Sequence, residues 1–250
     1  MTPLERAGFL AHARTRAFAR RLDEANAVIE RVLTDTRNPY VGYSTGKDSE
    51  VVLDLVWRQA PTVPAIYFDA DCAFPESRAR LDVLIAAGRP VEKFPCRPFL
   101  DILAAAGGPD APGVEDATMW GTVYEPVRRL LAERYYDAVV LGLRGDESPG
   151  RRMLVRTRGL LFFNQREGIR EALPVGRWTH DDIWAYLVSR NVDYNRAYDV
   201  MGDRPARDRR ISYWAGETNR RHGRWAYLKL HYPDLWQQFL TRFPEVGLFA

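Results

Sequence analysis

The feature that most constrains the fold is an alternation of short apolar strands with amphipathic helices. Four predicted strands, rich in β-branched and aromatic residues, lie at residues 40–43, 63–68, 91–94 and 138–143, with helical patterns between them. The last is a continuous apolar run, which is typical of a strand buried on both faces. The alternation therefore predicts an α/β fold with a parallel sheet flanked by helices.

The flanking regions follow other patterns. Residues 1–36 carry apolar side chains at helical spacing and predict one or two N-terminal helices. Segments 160–163 and 169–173 predict a hairpin, followed by a helical or irregular region rich in Arg and aromatic residues. We therefore expect three regions, the N-terminal helices, an α/β core at residues 37–150 and a C-terminal region at residues 151–250.

Two classes of protein are disfavoured by composition. No stretch of the 250 residues approaches the roughly 18 consecutive apolar residues of a membrane span, and the N-terminal segment does not have the pattern of a signal peptide. These observations predict a cytoplasmic protein without a membrane partner. The two cysteines, Cys72 and Cys96, are too few for a four-cysteine zinc site or iron–sulfur cluster, so neither is expected.

The basic residues are almost all arginine, whose planar guanidinium suits phosphate recognition. All but three of the 36 basic residues are Arg, and many fall into two groups. The first group accompanies a motif described below and is interpreted as functional; it comprises Arg144, Arg151, Arg152, Arg156 and Arg158. The second is more simply a solvated basic face, although it would also suit nucleic acid; it comprises Arg204, Arg207, Arg209, Arg210, Arg220, Arg221 and Arg224.

The segment Ser44-Thr-Gly-Lys-Asp-Ser49 joins the first predicted strand to its helix. Small residues and Gly46 let backbone N–H groups approach an anion, and the N-terminus of the helix adds partial positive charge. Lys47 adds a full positive charge, and the two serine hydroxyls add short hydrogen-bond donors. The spacing differs from that of a Walker A loop. We therefore interpret this segment as a phosphate-binding loop of another type.

This motif resembles the SGGKDS loop of the PP-loop ATP pyrophosphatases, in the adenine nucleotide α-hydrolase superfamily. The sequence departs from that loop at Thr45, where Gly is commonest, and a Cβ there is tolerable only if the residue does not need a positive φ. Three later blocks resemble phosphoadenylylsulfate reductases; they are Phe68-Asp-Ala-Asp-Cys-Ala-Phe-Pro-Glu-Ser77, Gly142-Leu-Arg-Gly-Asp-Glu-Ser-Pro-Gly-Arg151, and Trp178 to Leu187 followed by Asp193-Tyr-Asn-Arg-Ala-Tyr-Asp199. The resemblance implies a Rossmann-like sheet of five parallel strands, with ATP and Mg²⁺ as cofactors.

The resemblance also implies a set of site residues at the carboxyl ends of the strands. The expected nucleotide contacts are Tyr43, Ser44, Thr45, Gly46, Lys47, Asp48, Ser49, Asp69, Gly142, Arg144 and Ser148. The expected catalytic residues are Lys47, Asp48, Arg144, Glu147 and Arg151. Asp48 and Glu147 are candidate Mg²⁺ ligands, although Glu147 could instead orient an arginine. Asp69 could equally cap the following turn, and Arg152 could exchange roles with Arg151.

The same resemblance directs attention to sulfur chemistry without reduction. The reductases use a cysteine in a C-terminal segment, whereas the last 154 residues of this sequence contain none. The remaining resemblance is to the ATP pyrophosphatase subunit of single-stranded DNA phosphorothioation. It implies that this protein activates a DNA backbone phosphate by adenylation and that a cysteine desulfurase, with other subunits of a modification system, supplies the sulfur. A homodimer is compatible with this interpretation.

Several alternatives stay open. The protein could be a PP-loop sulfurtransferase or ligase acting on a small molecule or tRNA, a reductase-like protein without reductase activity, or a non-catalytic nucleotide-binding subunit. Cys72 follows the second strand and is a better candidate than Cys96 for a persulfide relay. A free cysteine is more often a small buried hydrophobe, and we favour that interpretation.

Overall fold

The computed structural model describes residues 1–202, 209, 211 and 224–249. Six strands form one sheet in the order β3-β2-β1-β4-β6-β5. Their bounds are β1 Pro39–Tyr43, β2 Ala65–Asp69, β3 Val91–Pro95, β4 Ala138–Leu141, β5 Leu161–Asn164 and β6 Ile169–Ala172. Strand β1 pairs in parallel with β2 and β4, β4 pairs in parallel with β6, and β5 pairs antiparallel with β6. The expected α/β class is confirmed, and the predicted hairpin extends the sheet instead of standing apart from it.

Helices connect the strands in the predicted order. Their bounds are α1 Pro3–His12, α2 Arg16–Asp35, α3 Lys47–Gln59, α4 Pro75–Ala86, α5 Phe99–Ala106, α6 Val114–Met119, α7 Glu125–Glu133, α8 Pro149–Arg158, α9 His180–Ser189, α10 Ala197–Val200, α11 Arg224–His231 and α12 Pro233–Arg242. A π-helical turn, Trp120–Tyr124, joins α6 to α7, and short 3₁₀ turns lie at Gly145–Glu147 and Pro244–Phe249. No helix in the described part of the chain is long and apolar enough to cross a membrane.

The chain divides into two compact units. The first comprises Met1–Tyr67, Ala79–Glu92 and Arg134–Arg209, and the second comprises Phe68–Arg78, Lys93–Glu133 and Arg210–Ala250. In the first unit α3 packs on β1, β4 and α9, and α9 also packs on α1. In the second unit the rings of Trp225, Phe99 and Phe239 pack together. The three predicted regions are not tested by this division and stay a prediction.

A buried carboxylate joins the N-terminal helices to α9. Asp182 is fully buried in the first turn of α9, where Thr179 closes a capping box with it. Its Oδ1 lies 2.7 Å from His12 Nε2, and its Oδ2 accepts a hydrogen bond from the Arg21 guanidinium. Burial alone would raise the pKa of Asp182, but the bonds from His12 and Thr179 and the charge of Arg21 outweigh it and lower that pKa. Asp182 therefore ties α1 and α2 to the helix that they cover.

We predict that Asp182→Asn destabilises the protein by about 2–3 kcal/mol at pH 7, because it removes the charge facing two basic partners. The lowered pKa means that Asp182 stabilises the fold above the unfolded-state pKa of about 3.9 and that this contribution is lost as the pH falls through the folded-state pKa. Urea unfolding at several pH values measures both effects. Asp181→Asn, at the exposed neighbouring position, is the matched control. Equal stability of Asp182→Asn and wild type at pH 7 would contradict the prediction.

Candidate functional site

The predicted phosphate loop lies between β1 and α3, and its backbone is held by its own serines. Gly46 is the N-cap of α3. Ser49 Oγ donates to the Gly46 carbonyl at 2.9 Å and accepts from the Ser44 amide at 3.2 Å. The two serine hydroxyls are 3.1 Å apart. The loop is therefore folded back on the first turn of α3, where the dipole of the helix favours an anion.

Thr45 has a left-handed backbone conformation, with φ at +58°. The residue therefore does adopt a positive φ, the case in which a Cβ is unfavourable here, and the threonine carries a strain of about 1 kcal/mol that the commoner glycine would not. Its side chain is buried, and its Oγ1 accepts a hydrogen bond from Asn195 Nδ2 at 3.2 Å. This buried bond offsets the strain and connects the loop to the segment before α10.

Two cations meet at the carboxylate of Asp48. Lys47 Nζ lies 2.8 Å from Asp48 Oδ2, and Arg144 Nε lies 2.5 Å from Asp48 Oδ1. Both basic side chains are buried. Burial alone would raise the pKa of Asp48, but the charges of Lys47 and Arg144 outweigh it and lower that pKa. Asp48 is thus ionised and holds both cations beside the loop. The predicted contacts of Lys47 and Arg144 with nucleotide stay a prediction.

Gly142 allows β4 to end directly against the first turn of α3. A Cβ at this position would lie 2.8 Å from the Asp48 carbonyl carbon and the Ser49 amide nitrogen. Backbone atoms cannot yield as a flexible side chain does, so only glycine fits without a shift of the loop. Gly142 therefore sets the distance between the end of β4 and the loop; a direct contact of Gly142 with nucleotide stays a prediction.

The segment after β4 organises the remaining predicted residues. Glu147 Oε2 accepts from the Arg144 amide at 3.1 Å and from the Arg151 guanidinium. Ser148 caps α8, its Oγ accepting from the Arg151 amide at 3.2 Å. Glu147 therefore orients Arg151, which is one of the two roles foreseen for it, and Arg152 is exposed on the next position. Arg151 is joined to the loop through Glu147, Arg144 and Asp48.

The carboxylates considered for Mg²⁺ are already engaged by basic groups. Asp48 faces Lys47 and Arg144, and Glu147 faces Arg151. Within the described residues there is no group of three or more His, Cys, Asp or Glu side chains that could hold a metal. This arrangement does not fit a metal site built from Asp48 and Glu147, and we derive no step through one.

Two aromatic residues near the loop were not singled out from the sequence. Tyr198 is buried, and its hydroxyl accepts a hydrogen bond from the Lys47 amide at 3.1 Å. His180 begins α9, and its amide donates a hydrogen bond to Asp146 Oδ2 at 3.2 Å. The same oxygen also accepts a hydrogen bond from Arg144 Nη1. The signal for Tyr198 was the block Asp193–Asp199, whereas His180 was hidden inside a capping motif.

Tyr43 contacts an ion pair that Glu50 of α3 forms with Arg80. Its hydroxyl bonds to Glu50, and Arg80 donates to both oxygens of Glu50 at 2.8 and 3.0 Å. Burial raises the pKa of Tyr43, and the neighbouring Glu50 raises it further. The tyrosine hydroxyl is therefore a structural partner of α3, and its predicted contact with nucleotide stays a prediction.

Asp69 and both cysteines belong to the second unit. Asp69 ends β2, and its carbonyl accepts from the Cys96 amide at 2.9 Å. Cys72 and the preceding Asp71 both have positive φ, +41° and +57°. Burial, with the charge of Asp71, raises the pKa of the Cys72 thiol, and burial raises that of Cys96 to about 12. Both thiols are therefore protonated at neutral pH, which makes them poor nucleophiles.

The second arginine group lies mostly outside the described residues. Arg209 belongs to this group, and the structure describes its side chain. Arg209 is 1% exposed, and its Nη2 lies 3.3 Å from Glu5 Oε1. Arg209 is therefore a structural residue and not part of a solvated face. The predicted roles of Arg204, Arg207, Arg210, Arg220 and Arg221 fall outside the described part of the chain and stay untested. Arg224 is the first residue of α11, and its predicted role also stays untested.

Comparison with known proteins shows a consistent likeness. Residues 122–209 match the family described as phosphoadenosine phosphosulfate reductase domain. The chain is 27% identical to the phosphoadenosine 5′-phosphosulfate reductase of Gloeobacter violaceus, over 62% of this chain and 63% of that relative. It is 29% identical to the enzyme of the same name from Xylella fastidiosa strain 9a5c, over 66% of this chain and 71% of the relative.

A solved structure shows the same fold. It is the phosphoadenylyl-sulfate (PAPS) reductase from Candida auris in a phosphate complex, with a TM-score of 0.60, 19% identity, and coverage of 76% of this chain and 88% of that one. Together these likenesses show that the chain has the fold of PAPS reductases and that residues 122–209 are similar to the domain of that name.

We predict that Gly142→Ala lowers stability by about 1–3 kcal/mol and weakens ATP binding at least tenfold, because the new Cβ must displace the backbone of the loop. Thermal unfolding and titration with ATP measure the two effects. Gly8→Ala is the matched control, since a Cβ there meets no atom within 4 Å. Normal ATP affinity in Gly142→Ala would show that the close approach does not shape the site.

Proposed function

We propose that this protein is an ATP pyrophosphatase that binds ATP at the Ser44–Ser49 loop and transfers AMP to a substrate oxygen, releasing pyrophosphate. The observation that carries the proposal is the buried pairing of Lys47 and Arg144 through Asp48 at the N-terminus of α3. A phosphate chain placed there meets two cations and the helix dipole in a setting where little water screens them.

The chemistry follows from the arrangement of charge. The substrate oxygen attacks the α-phosphorus of ATP, and the bond from that phosphorus to the bridging oxygen breaks. Negative charge then grows on the leaving pyrophosphate, where Lys47 and Arg144 would stabilise it. Arg151, oriented by Glu147, would contact the same phosphate chain or the attacking group. The gain comes from donors already in place before the reaction.

The proposed substrate is a backbone phosphate of single-stranded DNA. Its oxygen would receive the AMP, and a sulfur nucleophile supplied by a cysteine desulfurase partner would then displace AMP. The raised pKa values of both thiols support an activating role over a reducing one, because reduction of a sulfated nucleotide by thiol chemistry requires a thiolate.

A second candidate is binding of an adenylyl sulfate nucleotide. It is favoured by the names of the relatives, which are reductases of phosphoadenosine phosphosulfate. The same basic pocket would accept the phosphates of that nucleotide. The two candidates differ in their products, since activation yields AMP and pyrophosphate and reduction yields sulfite.

We predict that the protein incubated with ATP and Mg²⁺ forms AMP and pyrophosphate, and that single-stranded DNA increases the rate. Lys47→Ala should lower turnover at least a hundredfold with the fold intact, because it removes a charge-assisted contact to the leaving group. Lys229→Ala, at an exposed lysine of α11, is the matched control.

Three results would decide against this proposal. Orthophosphate as the first product would exclude cleavage at the α-phosphorus. Sulfite released from phosphoadenylyl sulfate in the presence of a thiol reductant would favour the second candidate. AMP formation stimulated by small molecules or tRNA but not by DNA would contradict the proposed DNA substrate, although it would support the AMP-forming reaction.

We further predict that Cys72→Ser retains full sulfur transfer in a reconstituted reaction with the desulfurase. The physical reason is that the buried thiol beside Asp71 is held in its protonated form and cannot attack a persulfide. The measurement is incorporation of labelled sulfur into DNA, with Cys96→Ser as the parallel variant. Loss of transfer in Cys72→Ser alone, with AMP formation unchanged, would identify Cys72 as a relay.

A further inference from the structure

His180 is placed beside the phosphate loop by its own backbone. It is the first residue of α9, and its amide donates to Asp146 Oδ2 at 3.2 Å. The same oxygen accepts a hydrogen bond from Arg144 Nη1 at 3.2 Å. Arg144 also pairs with Asp48, so the start of α9 lies beside the cluster of charges at the loop. The imidazole packs on Trp184, whose ring packs on Tyr198, the acceptor of the Lys47 amide.

The imidazole has an unused hydrogen-bonding atom. His180 Nε2 is buried, and no hydrogen-bond partner for it exists among the residues that the structure describes. Its ring centroid lies 6.3 Å from that of Trp184, which packs against it. Buried polar atoms are nearly always paired in folded proteins, so an unpaired ring nitrogen beside a basic cluster points to a bound ligand atom.

The charges around His180 determine its form. Burial, followed by the positive charges of Lys47 and Arg144, lowers the pKa of His180 to about 3, against the opposing effect of Asp48 and Asp146. The ring is therefore neutral at physiological pH and carries a single N–H. A third full charge beside Lys47 and Arg144 would repel them, whereas a neutral N–H adds a donor without that repulsion.

We propose that His180 is a ligand contact of this site, its Nε2–H donating a hydrogen bond to an oxygen of the phosphate chain. The inference rests on the proposed function of the loop and adds to it a neutral donor beside the two cations. In that position His180 completes a set of three donors around the leaving pyrophosphate.

The test uses inorganic pyrophosphate as the probe and the full-length protein labelled with ¹⁵N-histidine. Long-range ¹H–¹⁵N spectra report each ring nitrogen, and His180→Gln assigns the His180 signals by their loss. We expect pyrophosphate to shift the Nε2 signal of His180. His12 is the internal control, because its Nε2 is already paired with Asp182 and should not move.

Affinity gives the second measurement. His180→Phe, which keeps a planar ring and removes the donor, should bind pyrophosphate about tenfold more weakly than wild type. His180→Gln, whose amide can still donate, should retain most of the affinity. Circular dichroism and thermal unfolding confirm that both variants are folded, and the wild-type spectra keep the test valid if either is not.

The outcomes separate this inference from the proposed function. Pyrophosphate binding by wild type with an unmoved His180 signal and unchanged affinity in His180→Phe would overturn the inference and leave the loop assignment standing. Absence of pyrophosphate and ATP binding by wild type would overturn both. A shifted Nε2 signal together with weaker binding by His180→Phe supports the donor role.

Discussion

The carboxylate of Asp48 keeps Lys47 and Arg144 together in a buried position, and the site depends on that pairing. Without an anion between them, two buried cations would repel each other and lose their hydration at the same time. Because Arg144 follows β4 while Asp48 lies on α3, the ion pair also joins two elements of the sheet edge. In the proposed function, a phosphate chain meets cations that are already held in place, so little has to be reorganised when it binds.

The loop beside this pairing is held in a strained form by groups from distant parts of the chain. Thr45 adopts a positive φ, and its hydroxyl accepts a hydrogen bond from Asn195. The hydroxyl of Tyr198 accepts a hydrogen bond from the amide of Lys47. On the far side of α3, Glu50 and Arg80 form a buried pair. Strain of this kind persists only where the surroundings determine the backbone, and it is a common property of binding loops. The backbone of the loop is thus set by groups from other parts of the chain.

The chain is similar to phosphoadenosine phosphosulfate reductases, but its thiols are poorly suited to reduction. Residues 122–209 match the reductase domain, and relatives at 27–29% identity carry the reductase name. Cys72 and Cys96, however, have raised pKa values, because Cys72 is buried and Cys96 is partly buried. A protonated thiol is a weak nucleophile, so the basic cluster beside the Ser44–Ser49 loop is the better-developed chemical feature. For this reason the proposed function places the chemistry at the loop and assigns the sulfur to a partner.

The sequence by itself determined the α/β class and the position of the loop, because strand and helix periodicities and the Ser44–Ser49 motif are local properties. It also placed Lys47 and Arg144 near one another, since residues that follow parallel strands gather at one edge of the sheet. Only the tertiary structure decided that Asp48 is a partner for cations, and that His180 faces the same cluster. Those facts depend on which side of a turn or helix meets a segment that is distant in the sequence. Local patterns do not carry that information, because packing between distant elements sets it.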